Sequence, residues 1–373
     1  MLEHMELDRA LLVRKDLEIL DLEAEMAAIA ERITALQVEK LSVQARLDSY
    51  RYPVLTLPNE IVAEIFVQFL PPYPDLSPLA GSLSSTFLTQ ICHQWREIAL
   101  ATPMLWRAIK LPSRLMYLED QAETARSLLT MWLERSGFCP LSIRIPIGGH
   151  GDFPIIISAL VPHFARCEHL SFDVRNTGEL SAMDRSMLML RSLSLVISNS
   201  NAGGSGLFNF QNIPLLRSVS LSDWAHIPSV VLPWSQLTSL TLSLVYPDAC
   251  MSVLQQTSVL VDCTLSVWTR DDPQDDFKAL SLPYLETLVF QSRSDIAPDF
   301  FHSLITPALL FLQLPEGFLN PFPESAVVES LESFINDSGC RLRHLRITSA
   351  YHGKEVYQTA FTAISLIEVR DST

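Results

Sequence analysis

The chain has 373 residues, 48% of them hydrophobic, and a formal net charge of −15 at pH 7. That length carries two or three domains with a sizeable core, and the apolar content excludes a disordered chain. A nucleic-acid binder needs a basic stripe to displace counterions from phosphate, and the 27 Lys and Arg side chains form no cluster, so nucleic acid is excluded as a partner.

Residues 1–50 carry a seven-residue apolar rhythm. With Ile19 at position a, the residues Leu22, Met26, Ile29, Ile33, Leu36, Val43 and Leu47 fall on a or d, and Leu12 and Met5 extend the seam backward. Lys15, Lys40 and Asp8 interrupt it. No Gly or Pro occurs before Pro53, so the pattern predicts one long coiled-coil-like helix with a partner-seeking stripe over residues 5–47. In a parallel homodimer Glu18 would face Glu23, Glu25 would face Ala30 and Arg32 would face Gln37, which is repulsion or indifference. An antiparallel pair, a different partner helix and a fold back onto the same chain all stay open.

Tyr52-Pro53 ends that helix, because the residue before proline is pushed out of the helical basin. Pro58 suits a first helical position and Glu60 suits a first turn. Ile61, Ile65, Phe66, Phe69 and Leu70 then mark one apolar face at helical spacing. Pro71, Pro72, Pro74, Pro78 and Gly81 make a loop. A second helical run follows, with Phe87, Leu88, Ile91, Cys92, Trp95 and Ile98 predicted inward, until Thr102-Pro103 breaks it before Leu105-Trp106.

Leu57-Pro58, the pair Ile65-Phe66, the run Ile91-Cys92-x-x-Trp95-Arg96 and the closing Leu105-Trp106 form one ordered pattern. This segment resembles an F-box, the helical module that plugs a substrate receptor into an SCF-type cullin-RING ubiquitin ligase. The resemblance implies an all-α F-box-like module over 54–110. It also implies that Leu57, Pro58, Ile61, Ile65, Ile91 and Cys92 face a Skp-type adaptor, which docks on a cullin scaffold. Trp95 and Trp106 would pack inside the module. The loop Pro71–Ser85 is longer than in compact F-boxes.

Residues 114–373 open with a helix through Ser136-Gly137, where the Gly suits a C-cap. A degenerate L-x-x-L-x-L repeat follows at CEHLSF, LRSLSL, LRSVSL, LTSLTL, DCTLSV, LETLVF, LLFLQL and LRHLRI, with Leu141–Ile145 as an earlier copy. With Leu265 taken for the slipped copy DCTLSV, the fourth positions are spaced by 23, 26, 21, 25, 23, 24 and 33 residues. The last interval leaves room for a helix over Pro323–Ile335. A period in the low twenties with one alternating strand per unit resembles leucine-rich repeats, which implies an irregular solenoid. The polar ladder residue of that family is missing: Arg175, Ser198, Trp224, Val245, Arg270, Arg293, Gly317 and Ala350 stand at its positions. By the same resemblance the open concave face takes Ser171, Ser194, Ser220, Thr241, Ser266, Val289, Gln313 and Arg346. That hydroxyl-rich row, with Arg343 and Arg346 as basic contacts at its end, is the expected surface for a protein substrate.

Catalytic and metal patterns fail. Gly203–Leu207 does not complete a nucleophile elbow. Gly148–Gly151 completes no phosphate-binding motif and reads as a connector. His163, Cys167 and His169 have no second ligand pair at metal spacing, and the pairs Asp271-Asp272 and Asp275-Asp276 read as a solvated loop. His93 and Cys92 are neighbours on a predicted helix and point apart. Six scattered cysteines without a C-x-x-C pair suit reduced thiols in a cytoplasmic or nuclear protein, and the charged N-terminus has no signal-peptide pattern. The uncharged stretch after Trp224 holds Pro228, Pro233 and many Ser and Thr, so no membrane span is expected.

The expected architecture is therefore α/β: a long N-terminal helix over 1–50, an all-α F-box-like module over 54–110 and an irregular leucine-rich-repeat-like solenoid over 114–373. The expected function is substrate recruitment for an SCF-type ligase, with the F-box on the adaptor and the repeats on the target. It needs no catalytic residue, metal or cofactor in this chain. The alternative is a non-ligase interaction scaffold built on the same helix and repeats.

Overall fold

The computed structural model describes residues 2–49, 53–112, 122–146, 152–174, 186–197, 208–210, 212–222, 230–268, 277–291, 298–319 and 322–371. Two compact units divide the chain, Met1–Val62 and Ala63–Thr373.

The first unit is dominated by α1 (Leu2–Ser49), a helix of 48 residues. At 1.5 Å per residue it is about 72 Å long. Its seam residues Met5, Leu12, Ile19, Leu22, Met26, Ile29, Ile33, Leu36, Val43 and Leu47 are all exposed, between 39% and 71%. After a 3-10 turn over Pro53–Thr56 the chain enters α2 (Asn59–Phe69), within which the two units meet in sequence. Pro58 sits just before this helix, its carbonyl accepting from the backbone N–H groups of Ile61 and Val62.

The second unit is built on one parallel sheet with helices between its strands. Two short helices come first, α3 (Ser85–Leu88) and α4 (His93–Ala101). The single helical run expected over 87–98 is thus broken at Cys92, whose extended backbone caps α4. Ser84 caps α3 through its hydroxyl, which accepts from the Phe87 N–H at 3.1 Å. The strand β1 (Ala108–Lys110) follows, then α5 (Ala122–Arg135), β2 (Leu141–Ile145), α6 (Asp152–Leu160), β3 (Cys167–Val174) and β4 (Ser192–Ile197). Next come β5 (Phe208–Asn209), β6 (Ser218–Ser222), β7 (Val230–Val231), β8 (Ser239–Val245), α7 (Pro247–Leu254) and β9 (Asp262–Val267). The chain continues through β10 (Leu280–Ser281), β11 (Thr287–Phe290), α8 (Pro298–His302), β12 (Leu304–Ile305) and β13 (Phe311–Pro315). It ends with α9 (Glu324–Ser338), β14 (His344–Ala350), α10 (Lys354–Ala360) and β15 (Leu366–Asp371).

Eleven strands form the main sheet in the order β1-β2-β3-β4-β6-β8-β9-β11-β13-β14-β15. Each strand therefore pairs with the next main-sheet strand in the chain, always parallel, while β5 with β7 and β10 with β12 make two small sheets beside it. Sequential parallel pairing aligns the repeat: Leu170, Leu193, Val219, Leu240, Cys263, Leu288, Leu312, Leu345 and Ile367 lie side by side, all buried. The copy DCTLSV takes a register two residues away from the one expected. Cys263, not Leu265, stands opposite Leu240 and Leu288. Both face inward because strand side chains alternate, and a buried free Cys serves as a small hydrophobe.

The turns into the strands are satisfied without a side-chain ladder. The carbonyl of Arg191 accepts from the N–H groups of Arg217 and Ser218 at 2.9 and 3.0 Å. Arg217, Thr238, Val261, Glu286 and Leu310 each repeat this double acceptance toward the next strand. A carbonyl has two lone pairs, so each backbone oxygen stitches two N–H groups of its neighbour and no Asn is required there. Of the positions noted for a missing ladder, Val245, Gly317 and Ala350 are described, and Arg175, Ser198, Trp224, Arg270 and Arg293 lie outside the described residues. The Gly148–Gly151 connector, the Gly203–Leu207 segment and the Asp271–Asp276 loop also lie outside them.

The expected all-α module followed by a solenoid is not what this unit forms. It is an 11-stranded parallel sheet with flanking helices, and its first strand, β1, lies inside the segment expected to be wholly helical. The open edge of β2 draws in Ala108–Lys110, with Ile109 fully buried. The long proline loop then closes over that edge. Ser77 bridges Ile109, the Ser142 hydroxyl donates to the Pro74 carbonyl at 2.8 Å, and the Tyr73 hydroxyl donates to Glu168 at 2.9 Å. The Arg107 guanidinium lies 4.2 Å from the Tyr73 ring centroid.

Trp106 joins the helical segment to α5. It is fully buried, donates through Nε1 to the Ala99 carbonyl at 2.8 Å and meets Trp132 edge-on at 5.0 Å. Gly137, with φ +53°, follows the end of α5, and Arg166 donates to the carbonyls of Leu133 and Cys139 there, a cation at a helix C-terminus. No helix among the described residues is long and apolar enough to cross a membrane.

Candidate interaction surfaces

The helix α2 carries two apolar stripes rather than one. Val62, Phe66 and Leu70 are buried, while Ile61, Ile65 and Phe69, each one position earlier, are exposed. Residues four apart share a helix face and adjacent residues point about 100° apart, so one stripe can be covered while the other is bare. In the first unit Leu57 and Pro58 are exposed together with Ile61.

In the second unit Ile65 (48% exposed), Phe69, Phe87 and Ile91 (47% exposed) are the outward apolar residues of α2, α3 and the turn before α4. Phe69 and Phe87 stack with ring centroids 6.5 Å apart. Beneath them Phe66 meets Trp95 edge-on at 4.9 Å, and Leu88 and Ile98 are buried. The structure therefore turns Phe87 and Ile91 outward where the helical run placed them inward, and puts Phe69 on the bare side of the single apolar face expected for α2. Cys92 is half-buried at the α4 cap, and His93, in the helix, lies near Glu97 at 3.7 Å. Phe69 was legible as the third member of the Ile61, Ile65 spacing. Nothing local marked Phe87.

On the outward face of the main sheet Ser171, Ser194, Ser220, Thr241, Thr264, Val289, Gln313 and Arg346 form one row of lateral neighbours. Ser266 is outside that row, paired with Ser243 one step along, because the register follows Cys263. Lys110 and Arg144 continue the row at one end and Glu368 at the other. Hydroxyls also line the adjacent rows through Ser192, Ser218 and Ser239 and through Ser222 and Ser243.

The basic end of the row is not open. Arg346 donates to Glu368 at 2.7 Å and to Gln313 at 3.2 Å and lies over the Phe311 ring. The hydrogen bond from Arg346 holds the Glu368 carboxyl below the usual carboxylate range. Arg343 precedes β14 and is off the row, beside Arg341.

One buried polar cluster has no local signature in the sequence. Glu316, after β13, has no exposed surface. Its carboxylate accepts from the Tyr357 hydroxyl at 2.7 Å, from His352 Nδ1 and from the backbone N–H groups of Tyr351 and His352. These partners are 35 to 41 residues away, so no spacing signals them.

His163, Cys167 and His169 do not assemble a metal site. The Cys167 thiol is buried, donates to the His163 carbonyl at 3.4 Å, and is pushed up to about 12 by burial, so it stays protonated. Burial lowers both histidines. No group of three His, Cys, Asp or Glu among the described residues could hold a metal. Compared with family models and with curated proteins, the chain matches none.

Proposed function

We propose that the protein is a substrate-receiving subunit of an SCF-type cullin-RING ubiquitin ligase, docking on a Skp-type adaptor through its F-box-like motif and holding a target protein on the outward face of its sheet. The observation that carries the reading is the bare apolar set Ile65, Phe69, Phe87 and Ile91, with two aromatic rings stacked in the open. Clustered exposed aromatic and aliphatic side chains mark surfaces that another polypeptide covers. On the first unit the exposed Leu57, Pro58 and Ile61 belong to the same motif. Such a subunit does no covalent chemistry. It raises the local concentration of a target near a conjugating enzyme. Work in the cytoplasm or nucleus suits its six free cysteines.

The test is co-precipitation with recombinant adaptor. Wild type retains the adaptor, whereas Leu57→Ala/Pro58→Ala and Phe69→Asp/Phe87→Asp lose it. Equal recovery by all three proteins rejects the reading. A second reading, a scaffold that takes no part in ligation, draws on the way β1 and the proline loop tie the helical segment to the sheet. Target binding without adaptor capture or ubiquitination selects it.

A further inference from the structure

The segments leading into β14 and β15 enclose a cleft of about 610 Å³. That volume falls in the range of small-molecule sites. Its inner wall is apolar: Leu342 and Phe361 are buried, and Ile335 from α9 and Ile364 are half-buried. Burial raises the Cys340 thiol, so it lines the cleft as a neutral group. Arg341 and Arg343 flank Leu342, and both are exposed at the rim.

Neither arginine has an ion-pair or side-chain hydrogen-bond partner among the described residues, whereas Arg346, three residues on, is held by Glu368. The ends of α9 and α10 also reach the cleft, through Ile335 and Ala360. A helix C-terminus contributes about half a negative charge, so two of them leave two guanidiniums with a net positive charge of about one. A positive rim over an apolar wall suits an anion that carries a hydrocarbon body. Guanidinium is the side chain best matched to carboxylate and phosphate oxygens.

We propose that this cleft binds a small amphipathic anion, a carboxylate or phosphate monoester seated on Arg341 and Arg343 with its apolar body against Leu342 and Phe361. The assignment is independent of the ligase reading, because neither the F-box-like motif nor the outward row contributes to the cleft. The same chemistry is offered by a free amphiphile and by a peptide ending in an apolar residue with a free carboxylate.

Isothermal titration of the full chain with decanoate, decyl phosphate and decanol tests the proposal. A short alanine-leucine peptide and its C-terminal amide are titrated beside them. Saturable binding of an anionic probe is expected, with decanol at least about tenfold weaker. The variant Arg341→Gln/Arg343→Gln should lose at least about tenfold in affinity at an unchanged melting temperature. Ala363→Trp, an exposed lining position, should fill the cleft and cause the same loss. Tighter binding of the free-acid peptide than of decanoate assigns the anion to a chain terminus, and the reverse assigns it to a free small molecule. No saturable anionic binding, equal affinity for decanol, or unchanged affinity in the double arginine variant overturns the proposal.

Discussion

Glu316 has no exposed surface and four donors on its two oxygens, so single atoms decide its worth. Glu316→Ala strands the Tyr357 hydroxyl and two backbone N–H groups. The hydroxyl is the buried one of these, and at about 1–3 kcal/mol for a buried group left unpaired a loss of about 2 kcal/mol is expected in urea unfolding. Glu316→Gln keeps one accepting oxygen and should lose less. Leu244 is the opposite case. It interrupts the register of β8 between Ser243 and Val245 with φ 58° and an exposed side chain. A left-handed backbone costs an L-residue about 1–2 kcal/mol, more than glycine's added chain entropy of about 0.5–1 kcal/mol. Leu244→Gly should therefore raise stability by about 0.5 kcal/mol, and a lower urea midpoint would contradict that account. Neither residue could be singled out beforehand. Arg346 was legible as a cation on the row, but not as a neutralised one, because Glu368 sits on a strand beyond the last recognised repeat.

At the scale of elements, α2 and the strands both set an inward side chain beside an outward one. Ile65→Glu and Ile91→Glu replace exposed side chains and should change stability by no more than about 0.5 kcal/mol. Phe66→Ala, one residue from Ile65, should cost about 3–5 kcal/mol because its ring is buried against Trp95. The sheet offers the same contrast at β8: Thr241→Trp on the outward row should melt near wild type, while Leu242→Ala should cost about 2–5 kcal/mol. A Thr241→Trp variant that unfolds would place this row inside the protein. Strand positions were readable from a period of two, and the copy at 141–145 became β2 as anticipated. The register of DCTLSV was not readable, since Cys263 and Leu265 both suit an inward position and only Leu240 and Leu288 decide between them. The break between α3 and α4 was missed because Phe87, Leu88, Ile91 and Cys92 keep helical spacing across a turn.

For the molecule as a whole, buried neutral groups set the pH range of stability. Burial raises the thiols of Cys167, Cys250 and Cys263 and, with help from Glu168 and Glu316, the phenols of Tyr73 and Tyr357. A raised folded pKa means that the stabilisation is complete below the unfolded value, 9.0 for a thiol, and is lost as pH climbs from there toward the folded one. His163 and His169 are lowered by burial, so their contribution is complete above 6.5 and is lost as pH falls through the folded value. The urea midpoint should be flat between about pH 7 and 8.5 and fall on both sides. A midpoint still rising at pH 10 would be incompatible with these buried thiols. Removing residues 1–49 should shift the unfolding transition of the sheet by no more than about 2–4 °C, since the whole sheet lies in the unit Ala63–Thr373.

From the sequence alone one could read the repeating strand, the long seamed helix and most inward strand positions, because helix and strand periods are properties of the local backbone. Only the tertiary structure decided that β1 joins the sheet, that the proline loop locks over its edge, that Cys263 sets the register, and which stripe of α2 stays bare. Those outcomes depend on neighbours tens of residues away, and an apolar side chain carries no mark of the surface that will cover it.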